Sequence, residues 1–359
     1  MAQRGVGKTP AALGYRLPAE WEPHEATWIG WPHNLSDWPG KFTPIPWVYG
    51  EIVRKIAPAE MVRILVNSKA HEEQARRILR RVGVDLTQVE FFRFPTNRSW
   101  TRDFGPIFVK RDAPRPEVAI VNFAFNGWAK YPHWQKDNKV ASLAAAALGR
   151  RLFNVKVKGR DFVLEGGSID GNGCGTLLTT EECLLEPEVQ VRNPGFTREE
   201  TEEALRVYLG VTNLLWLGKG IAGDDTHGHV DDLCRFVGPH TVVLCQESDS
   251  SESNYWPLQE NRERLEGMRL EDGSRVEVVT LPMPMRLFLD GQRLPASYAN
   301  FYISNAAVLV PTFNDPNDRV ALGTLAELLR DRPVIGIHAV DLAWGLGTLH
   351  CLTHEQPAM

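Results

Sequence analysis

The hydrophobic and polar residues of this chain follow helical and strand periodicities in turn. Segments 72–83 and 197–210 carry apolar residues at helical spacing and end at glycine, and Thr197 with Glu200 is a helix-start signal. Apolar, β-branched runs typical of strands lie at 117–125, 213–217, 277–283, 306–313 and 333–337. Because short apolar runs follow the predicted helices, the sequence predicts an α/β fold.

Polar residues interrupt the apolar segments at a coarse, regular spacing. Asp103, Glu165, Asp231 and Cys351 are separated by 62, 66 and 120 residues, and the last interval is close to two of the others. One supersecondary unit used about five times would fill the chain and bring one loop from each unit to a common centre. The spacing alone leaves a repeat and coincidence equally open.

Composition and charge indicate a globular protein without a nucleic-acid or membrane partner. The 359 residues are 43% hydrophobic and 24% charged, with a formal net charge of -5, which disfavours a polyanionic partner. No segment approaches the roughly 18 apolar residues of a membrane span, and the polar start is not a signal peptide. We expect a flexible tail at residues 1–14, a single catalytic domain at 15–359 and a cytoplasmic location.

The five cysteines are an odd number without a CxxC pair, which predicts reduced thiols rather than a disulfide framework or a zinc knuckle. Four of them are interpreted as buried or loop thiols: Cys174, Cys183, Cys234 and Cys245. The fifth, Cys351, lies between two histidines in GLGTLHCLTHEQP. The run TLHCLT predicts a short strand, in which His350 and Cys351 would point to opposite faces. A histidine partner for Cys351 would then come from elsewhere.

Two acidic motifs lie next to glycine. In NRSWTRDFGP, Asp103 follows Trp100 and Arg102 on a stiff loop, where it either faces a ligand or pairs with the arginine to stabilise the loop. In FVLEGGSIDGNG, Glu165 ends an apolar strand beside two glycines, which suits close approach of a ligand to the backbone. Capping of the loop by Glu165 is an equally good interpretation.

The densest motif is GDDTHGHVDD at 223–232. His227, His229 and Asp231 alternate as in a strand, so all three could face one way. Such a set is typical of metal-dependent hydrolases, including those that use two manganese ions on guanidines. A metal centre of that kind needs a second acidic motif, and neither NDPND at 314–318 nor Asp224 with Asp225 follows an apolar strand as Asp-x-Asp. This weakens the metal interpretation without excluding it.

Carboxylates around a thiol indicate a cationic substrate. Nearby negative charge disfavours a thiolate and would raise the pKa of Cys351. A guanidinium accepts bidentate carboxylates, stacks on aromatic rings and would itself favour the thiolate once bound.

At these residues the sequence resembles the agmatine deiminases, within the guanidino-group-modifying (pentein) superfamily that also holds arginine deiminases and bacterial peptidylarginine deiminases. The match runs in order through LPAEWEPHEATWIGWP, WTRDFGP, FNGWAKYP, LEGGSI, TLLTTEECLL, GHVDD, ASYANFYISN, PTFNDPND and HCLTHEQP. The resemblance implies a five-bladed α/β propeller of ββαβ units with pseudo-fivefold symmetry and the site on its axis, which agrees with the spacing of the polar motifs.

The resemblance also implies roles for single residues. Cys351 would be the nucleophile, His229 the general acid and base, Glu165 its catalytic partner, and Asp103 and Asp231 the clamps on the guanidinium. Attack by the thiolate would expel ammonia, and water would hydrolyse the amidino-thioether to a ureido product, N-carbamoylputrescine from agmatine. This chemistry would need no metal and no organic cofactor.

Two departures from the family pattern concern recognition of the substrate's tail. The chain has GLGTLHC where many agmatine deiminases have GGGNIHC, and WTRDFGP in place of W-x-R-D-T-G-P. Trp100 would wall the pocket, and Asp225 is either the anchor for the far amine or a solvated loop carboxylate. His227 is left out of the predicted core set, because the family pattern varies there.

The leading hypothesis is therefore an agmatine deiminase. The alternatives are the same chemistry on arginine or peptidyl-arginine, a metal-dependent ureohydrolase such as agmatinase, and a non-catalytic binder of guanidino compounds. Binding alone needs neither Cys351 nor His229, which argues against the last alternative. A homo-oligomer is compatible with the sequence, which does not decide it.

Overall fold

The computed structural model describes residues 9–359 as a mixed α/β fold. The helices in this range are α1 (Ile45–Ile56), α2 (Lys69–Arg81), α3 (Thr101–Phe104), α4 (Val140–Leu148), α5 (Glu181–Leu185), α6 (Arg198–Leu209), α7 (Tyr255–Gly267), α8 (Pro316–Leu328), α9 (Val340–Ala343) and α10 (Leu349–Leu352). The strands are β1 (His24–Gly30), β2 (Met61–Leu65), β3 (Val89–Phe92), β4 (Ile107–Arg111), β5 (Glu117–Asn122), β6 (Leu152–Asn154), β7 (Lys156–Val157), β8 (Arg160–Asp161), β9 (Asp170–Gly171), β10 (Thr176–Thr180), β11 (Asn213–Leu217), β12 (Cys234–Phe236), β13 (Thr241–Gln246), β14 (Glu277–Pro282), β15 (Phe288–Leu289), β16 (Gln292–Arg293), β17 (Tyr302–Ile303), β18 (Val308–Thr312), β19 (Val334–His338) and β20 (Thr353–Pro357).

Within the described range, five sheets share one connectivity. Each contains an antiparallel pair of strands followed by a parallel pair, in the orders β4-β5-β6, β9-β10-β11, β12-β13-β14, β17-β18-β19 and β20-β1-β2, the last extended by β3. The parallel step crosses over through a helix, for example α4 between β5 and β6 and α7 between β13 and β14. Since β20 pairs with β1, the end of the chain completes the sheet begun at its start.

Several predicted elements are confirmed with close boundaries. The helix at 197–210 is α6, where Thr197 and Glu200 form a capping box and Gly210 ends the helix with a φ of 68°. Strand β11 coincides with the predicted run 213–217, and α2 covers most of the predicted helix at 72–83. Local sequence signals were sufficient to predict these elements, because the helix caps and the apolar periodicity agree with the packing in the folded chain.

The strand predicted around Cys351 is wrong. His350 and Cys351 lie in the one-turn helix α10, and the strand begins only at Thr353. The Asn300 side-chain carbonyl accepts the backbone N–H of His350 at 3.0 Å and the Thr348 hydroxyl at 2.7 Å. A distant side chain therefore sets the local conformation, which strand propensity cannot reveal.

The strand predicted through 227–231 is also wrong. His227 has a φ of 63°, and Val230–Asp232 form a 3-10 helix. The Asp224 carboxylate accepts backbone N–H groups of Gly228 at 2.7 Å and His229 at 3.0 Å, which holds the segment as a turn. His227, His229 and Asp231 consequently do not share one strand face.

The N-terminal tail predicted at 1–14 lies partly outside the described residues, which begin at 9. Of the remainder, Ala11–Leu13 form a 3-10 helix, and Leu13 packs against a buried cluster that includes Val109 and Leu205. Among residues 9–359, we find no helix with the length and apolar character needed to traverse a bilayer.

Candidate active site

A cavity of about 200 Å³ brings most of the predicted site residues together. Its lining residues are Ser36, Asp37, Arg98, Trp100, Asp103, Trp128, Tyr131, Asp225, Thr226, Gly345, Leu346 and Cys351. Trp100 is buried in the wall, where its ring lies 5.1 Å from that of Trp38. The remaining predicted residues, Glu165, His229 and Asp231, are buried around Asp103 and Cys351, as the distances below show.

Cys351 lies at the N-terminal side of the last strand, in α10, with 7% of its surface exposed. The Asn300 amide donates to its sulfur at 3.1 Å and to Asp232 Oδ1 at 2.9 Å. Burial raises the pKa of the Cys351 thiol well above its usual value, and the carboxylates of Asp231, Asp232 and Asp103 raise it further. The free protein therefore holds a neutral thiol.

Close packing explains why position 347, just before this turn, is a glycine. A Cβ at Gly347 would lie 2.7 Å from the Trp100 ring and 3.1 Å from Cys351 Cβ. Only glycine lets the tryptophan wall and the cysteine turn pack this closely.

His229 is surrounded by acidic groups. Its Nε2 lies 3.3 Å from Glu165 Oε2, and its Nδ1 lies 3.7 Å from Asp103 Oδ1 and 3.9 Å from Asp231 Oδ1. Burial alone would lower the pKa of His229, but Asp103, Cys183 and Glu165 outweigh it and raise that pKa well above the ordinary value. The imidazole is therefore protonated in the free protein.

Glu165 is fixed from behind by an arginine. Arg192 Nε donates to both carboxylate oxygens, at 3.1 and 3.2 Å, and both side chains are fully buried. Burial would raise the pKa of Glu165, but the charge of Arg192 and the contact with His229 lower it overall. Arg192 thus keeps Glu165 ionised beside His229.

Asp103 occupies the opposite side of His229. Its Oδ2 accepts the Trp128 indole N–H at 2.9 Å, and its Oδ1 accepts the Gly167 N–H at 3.2 Å. A Cβ at Gly167 would lie 2.5 Å from His229 Nδ1, so the glycine predicted for close approach admits side chains of the site itself. Burial raises the pKa of Asp103 to about 6, and Asp231 and Glu165 add to the increase despite the attraction of His229.

Asp231 has one engaged and one open oxygen. Its Oδ2 lies 2.6 Å from His350 Nδ1, whereas Oδ1 is buried without a hydrogen-bond partner among residues 9–359. One carboxylate oxygen each from Asp231 and Asp232 and the Cys351 sulfur lie within 4.8 Å of one another. An orphaned carboxylate oxygen beside a thiol suits a cationic donor group.

The mouth of the cavity carries two pairs of opposite charge. Asp225 accepts from Lys130 Nζ at 2.6 Å and from the Tyr131 hydroxyl at 2.7 Å. Asp37 pairs with Arg98, whose guanidinium lies 4.1 Å from the Tyr131 ring centre. Asp225 is therefore neither a solvated loop carboxylate nor an unoccupied anchor, because a lysine of the chain already binds it.

The residues that the sequence offered as further metal ligands are engaged in other contacts. His227 is partly exposed, 4.0 Å from Glu182, while Asp315 and Asp318 cap α8 through their side chains. Asp224 is used by the turn before His229. These residues do not converge on His229 and Asp231 within the described range.

Sequence reasoning missed Arg192, Trp128, Asp232 and, above all, Asn300. A signal for Asn300 existed: the 120-residue interval from Asp231 to Cys351 is twice the other intervals, and Asn300 falls inside it. Asp103, Glu165, Asp231, Asn300 and Cys351 each lie shortly before the first strand of one sheet, β4, β9, β12, β17 and β20 respectively. The spacing of the polar motifs, which by itself left a repeat and coincidence equally open, therefore has a structural counterpart in the five sheets.

The chain is similar to proteins of known activity along almost its whole length. A family model for Porphyromonas-type peptidyl-arginine deiminases matches residues 16–357. The agmatine deiminase of Pseudomonas aeruginosa (strain LESB58) is 34% identical over 377 residues, which cover 98% of this chain and 97% of that protein.

Solved structures show the same similarity in three dimensions. The agmatine deiminase of Enterococcus faecalis superposes with a TM-score of 0.89 at 31% identity, covering 99% of both chains. A cysteine-to-serine variant of C. jejuni agmatine deiminase with substrate bound gives a TM-score of 0.84 at 31% identity, covering 95% of this chain and 96% of that one.

Proposed function

Because the chain belongs to the Porphyromonas-type peptidyl-arginine deiminase family, we propose that it is an agmatine deiminase, which hydrolyses agmatine to N-carbamoylputrescine and ammonia. The observation that carries the proposal is the buried thiol of Cys351, surrounded by Asp103, Asp231 and the His229–Glu165 pair. A neutral or anionic substrate would leave these negative charges uncompensated, whereas a guanidinium neutralises them.

Binding prepares the nucleophile. The guanidinium nitrogens donate to Asp103 and to the open oxygen of Asp231, next to the Trp100 ring. The positive charge that the substrate brings offsets the carboxylates and lowers the pKa of the Cys351 thiol, so the thiolate forms in the complex. The Asn300 amide, 3.1 Å from the sulfur, stabilises that thiolate.

The chemistry then proceeds in two steps. The thiolate forms a bond to the guanidinium carbon, the bond from that carbon to one terminal nitrogen breaks, and His229 gives the departing ammonia a proton. The neutral His229 next takes a proton from water, whose oxygen attacks the amidino carbon and releases Cys351. Glu165, held by Arg192, stabilises the charged form of His229 in both steps.

The substrate's tail decides between agmatine and arginine. For agmatine, the far ammonium replaces or joins Lys130 at Asp225, at the mouth of the cavity. Arginine or peptidyl-arginine is the alternative, and one observation favours free arginine: Arg98, which pairs with Asp37, lines the same mouth and can bind an α-carboxylate. Agmatine would therefore need a free negative charge at the mouth of the cavity, whereas arginine would need a free positive charge as well.

We further propose that the five sheets are the blades of an α/β propeller with the site on its axis. Support comes from their shared connectivity, from the pairing of β20 with β1, and from the one site residue that precedes each sheet. In this arrangement residues 15–359 form a single catalytic domain. A cytoplasmic location is part of the proposal, supported by the five unpaired cysteines.

The function is tested by incubating the purified protein with agmatine, arginine and an arginyl peptide, with and without EDTA. We expect ammonia and a ureido product from agmatine, no effect of EDTA, and an amidino adduct on the intact protein. Cys351→Ser should abolish turnover, while Cys174→Ser, a change at an exposed cysteine outside the cavity, should not. Release of urea, or a fully active Cys351→Ala variant, would contradict the proposal.

A further inference from the structure

His350, the residue before the cysteine, has contacts that the reaction above does not use. Its ring is buried, with Nδ1 2.6 Å from Asp231 Oδ2 and Nε2 2.7 Å from Glu20 Oε2. We propose that His350 is a positioning residue that orients Asp231 toward the substrate's guanidinium. The inference rests on the proposed function, in which Asp231 is one of the two clamps.

Because His350 contacts only one Asp231 oxygen, the two oxygens have different roles. Oδ2 is held by His350, and Oδ1 has no hydrogen-bond partner in the described part of the chain. A carboxylate with one oxygen fixed cannot rotate freely, so its second oxygen keeps a single direction. Preorganisation of this kind lowers the cost of binding, because the side chain is ordered before the substrate arrives.

The anchor behind His350 is itself rigid. Glu20 forms ion pairs with Arg235 at 2.9 Å and Arg102 at 3.4 Å, and it accepts the Ile303 N–H at 2.8 Å. Arg235 is fully buried and donates to the Phe301 carbonyl at 2.8 Å. A continuous set of buried polar contacts therefore leads from the sheets to the guanidinium clamp.

Burial and the nearby charges of Arg102 and Arg235 lower the pKa of His350 well below its usual value, despite the contact with Asp231. A neutral imidazole carries one N–H, and the proposal places it on Nδ1, toward Asp231 Oδ2. Loss of the ring removes this donor.

A matched pair of substitutions separates the two sides of the ring. In His350→Asn the amide can donate from the place of Nδ1, toward Asp231, whereas in His350→Gln it can donate from the place of Nε2, toward Glu20. The inference predicts that the asparagine variant retains most of the affinity for substrate. The glutamine variant should lose about 10- to 100-fold, as expected for one hydrogen bond to a charged group.

The experiment measures the dissociation constant of agmatine by calorimetry in a Cys351→Ser background, where no turnover occurs. The single variant is compared with Cys351→Ser/His350→Asn and Cys351→Ser/His350→Gln, and thermal unfolding is recorded for each. Weaker binding in the glutamine variant at an unchanged melting temperature, with rescue by asparagine, supports a positioning role. Equal binding in all three proteins, or losses that simply follow the melting temperature, would overturn it.

The outcomes also distinguish this inference from the proposed function. If Cys351→Ser itself binds no agmatine while it remains folded, the proposed substrate is wrong. If it binds agmatine and the two His350 variants bind equally, only the positioning role is wrong. If the glutamine variant does not fold, the asparagine variant decides alone: retained affinity supports the inference, and a tenfold loss overturns it.

Discussion

Cys351, the proposed nucleophile, shows how single residues set the resting state of the candidate site. Burial and the carboxylates of Asp231, Asp232 and Asp103 raise the pKa of the Cys351 thiol, so we expect slow alkylation by iodoacetamide at neutral pH. Asp103→Asn removes one of these charges and should move the alkylation profile to lower pH, while kcat/KM for agmatine falls by at least about 100-fold with the loss of a clamp.

The control for this prediction is Asp225→Asn, at the mouth of the same cavity. It should leave the pH profile of Cys351 alkylation where it is in the parent protein. The reaction is followed by intact mass at several pH values. An unchanged profile in Asp103→Asn would show that this carboxylate does not act on the thiol.

A second prediction for a single residue concerns Lys130, at the mouth of the cavity. It occupies Asp225 in the free protein, with 40% of its side chain exposed, so under the proposed function the ammonium of agmatine would compete with it. Lys130→Met should lower KM for agmatine about 1.5- to fivefold, the range expected for one partly exposed ion pair. Asp225→Asn should raise KM instead, with a smaller effect on kcat.

Steady-state kinetics with agmatine and arginine as separate substrates provide the measurement. If Lys130 served an α-carboxylate, its removal would impair arginine turnover and leave agmatine unaffected. A KM for agmatine that rises in Lys130→Met would contradict competition at Asp225.

At the scale of elements, the sequence was informative where local signals and packing agree. The α6 helix has its capping box, its apolar stripe and its terminal glycine within 14 residues, and the predicted β11 follows it. The turns around His229 and Cys351 could not be predicted in this way. Side chains such as Asp224 and Asn300 hold them, and Asn300 is about 50 residues from Cys351 in sequence.

The residues of the candidate site could be predicted from the sequence for a different reason. Asp103, Glu165, His229, Asp231 and Cys351 could be chosen from motif chemistry and resemblance without any correct local structure. Their supports are not marked as site residues by the sequence: Arg192 lies outside the quoted motifs, and Asn300 lies in ASYANFYISN, where nothing local indicates its contact with Cys351. Sequence therefore indicates the proposed reacting groups more readily than the groups that hold them.

Two helix-ending glycines provide a test of element stability. Gly149 ends α4 at a φ of 61° with no atom within 4 Å of an added Cβ, whereas a Cβ at Gly210 would lie 2.1 Å from the Tyr15 carbonyl. Gly149→Ala should lower the free energy of unfolding by about 1–2 kcal/mol through the left-handed conformation alone. Gly210→Ala should cost about 1–3 kcal/mol more, as expected for an overpacked core site.

Chemical denaturation of the two variants measures the difference. The left-handed conformation is common to both, so the excess cost at Gly210 isolates the clash with the N-terminal segment. Equal losses would mean that the segment at Tyr15 moves away without cost.

At the scale of the whole molecule, the candidate site draws residues from segments beside all five sheets. Each of the five sheets is preceded by one site residue, and the last sheet needs both β1 and β20. No fragment that lacks one sheet holds the full set of groups. The polar centre also means that many charges are buried together, so stability must depend on how they are paired.

The dependence of stability on buried charges can be measured at Asp137. It is buried, and Oδ1 accepts the N–H groups of Asn97 at 2.5 Å and Arg98 at 3.4 Å, while Oδ2 has no partner in the described range. Burial raises the pKa of Asp137 to about 7, despite those hydrogen bonds. A folded-state pKa above the unfolded value means that the native protein binds the proton more tightly. Its contribution to stability is complete below the unfolded pKa and is lost as pH rises through about 7.

Asp137→Asn retains the side-chain acceptor and abolishes the titration. The free energy of unfolding of the parent protein minus that of the variant should therefore decrease between pH 5 and pH 8, by on the order of 2 kcal/mol. Asp85→Asn is the control: the Thr87 N–H lowers the pKa of the exposed Asp85, so its contribution changes only below the unfolded pKa, and the difference should be flat between pH 5 and pH 8. Urea unfolding at several pH values gives both differences. A flat difference for Asp137 across this range would show that its carboxyl group is ionised in the folded protein at pH 5, and that the burial of acidic groups costs this fold less than its geometry indicates.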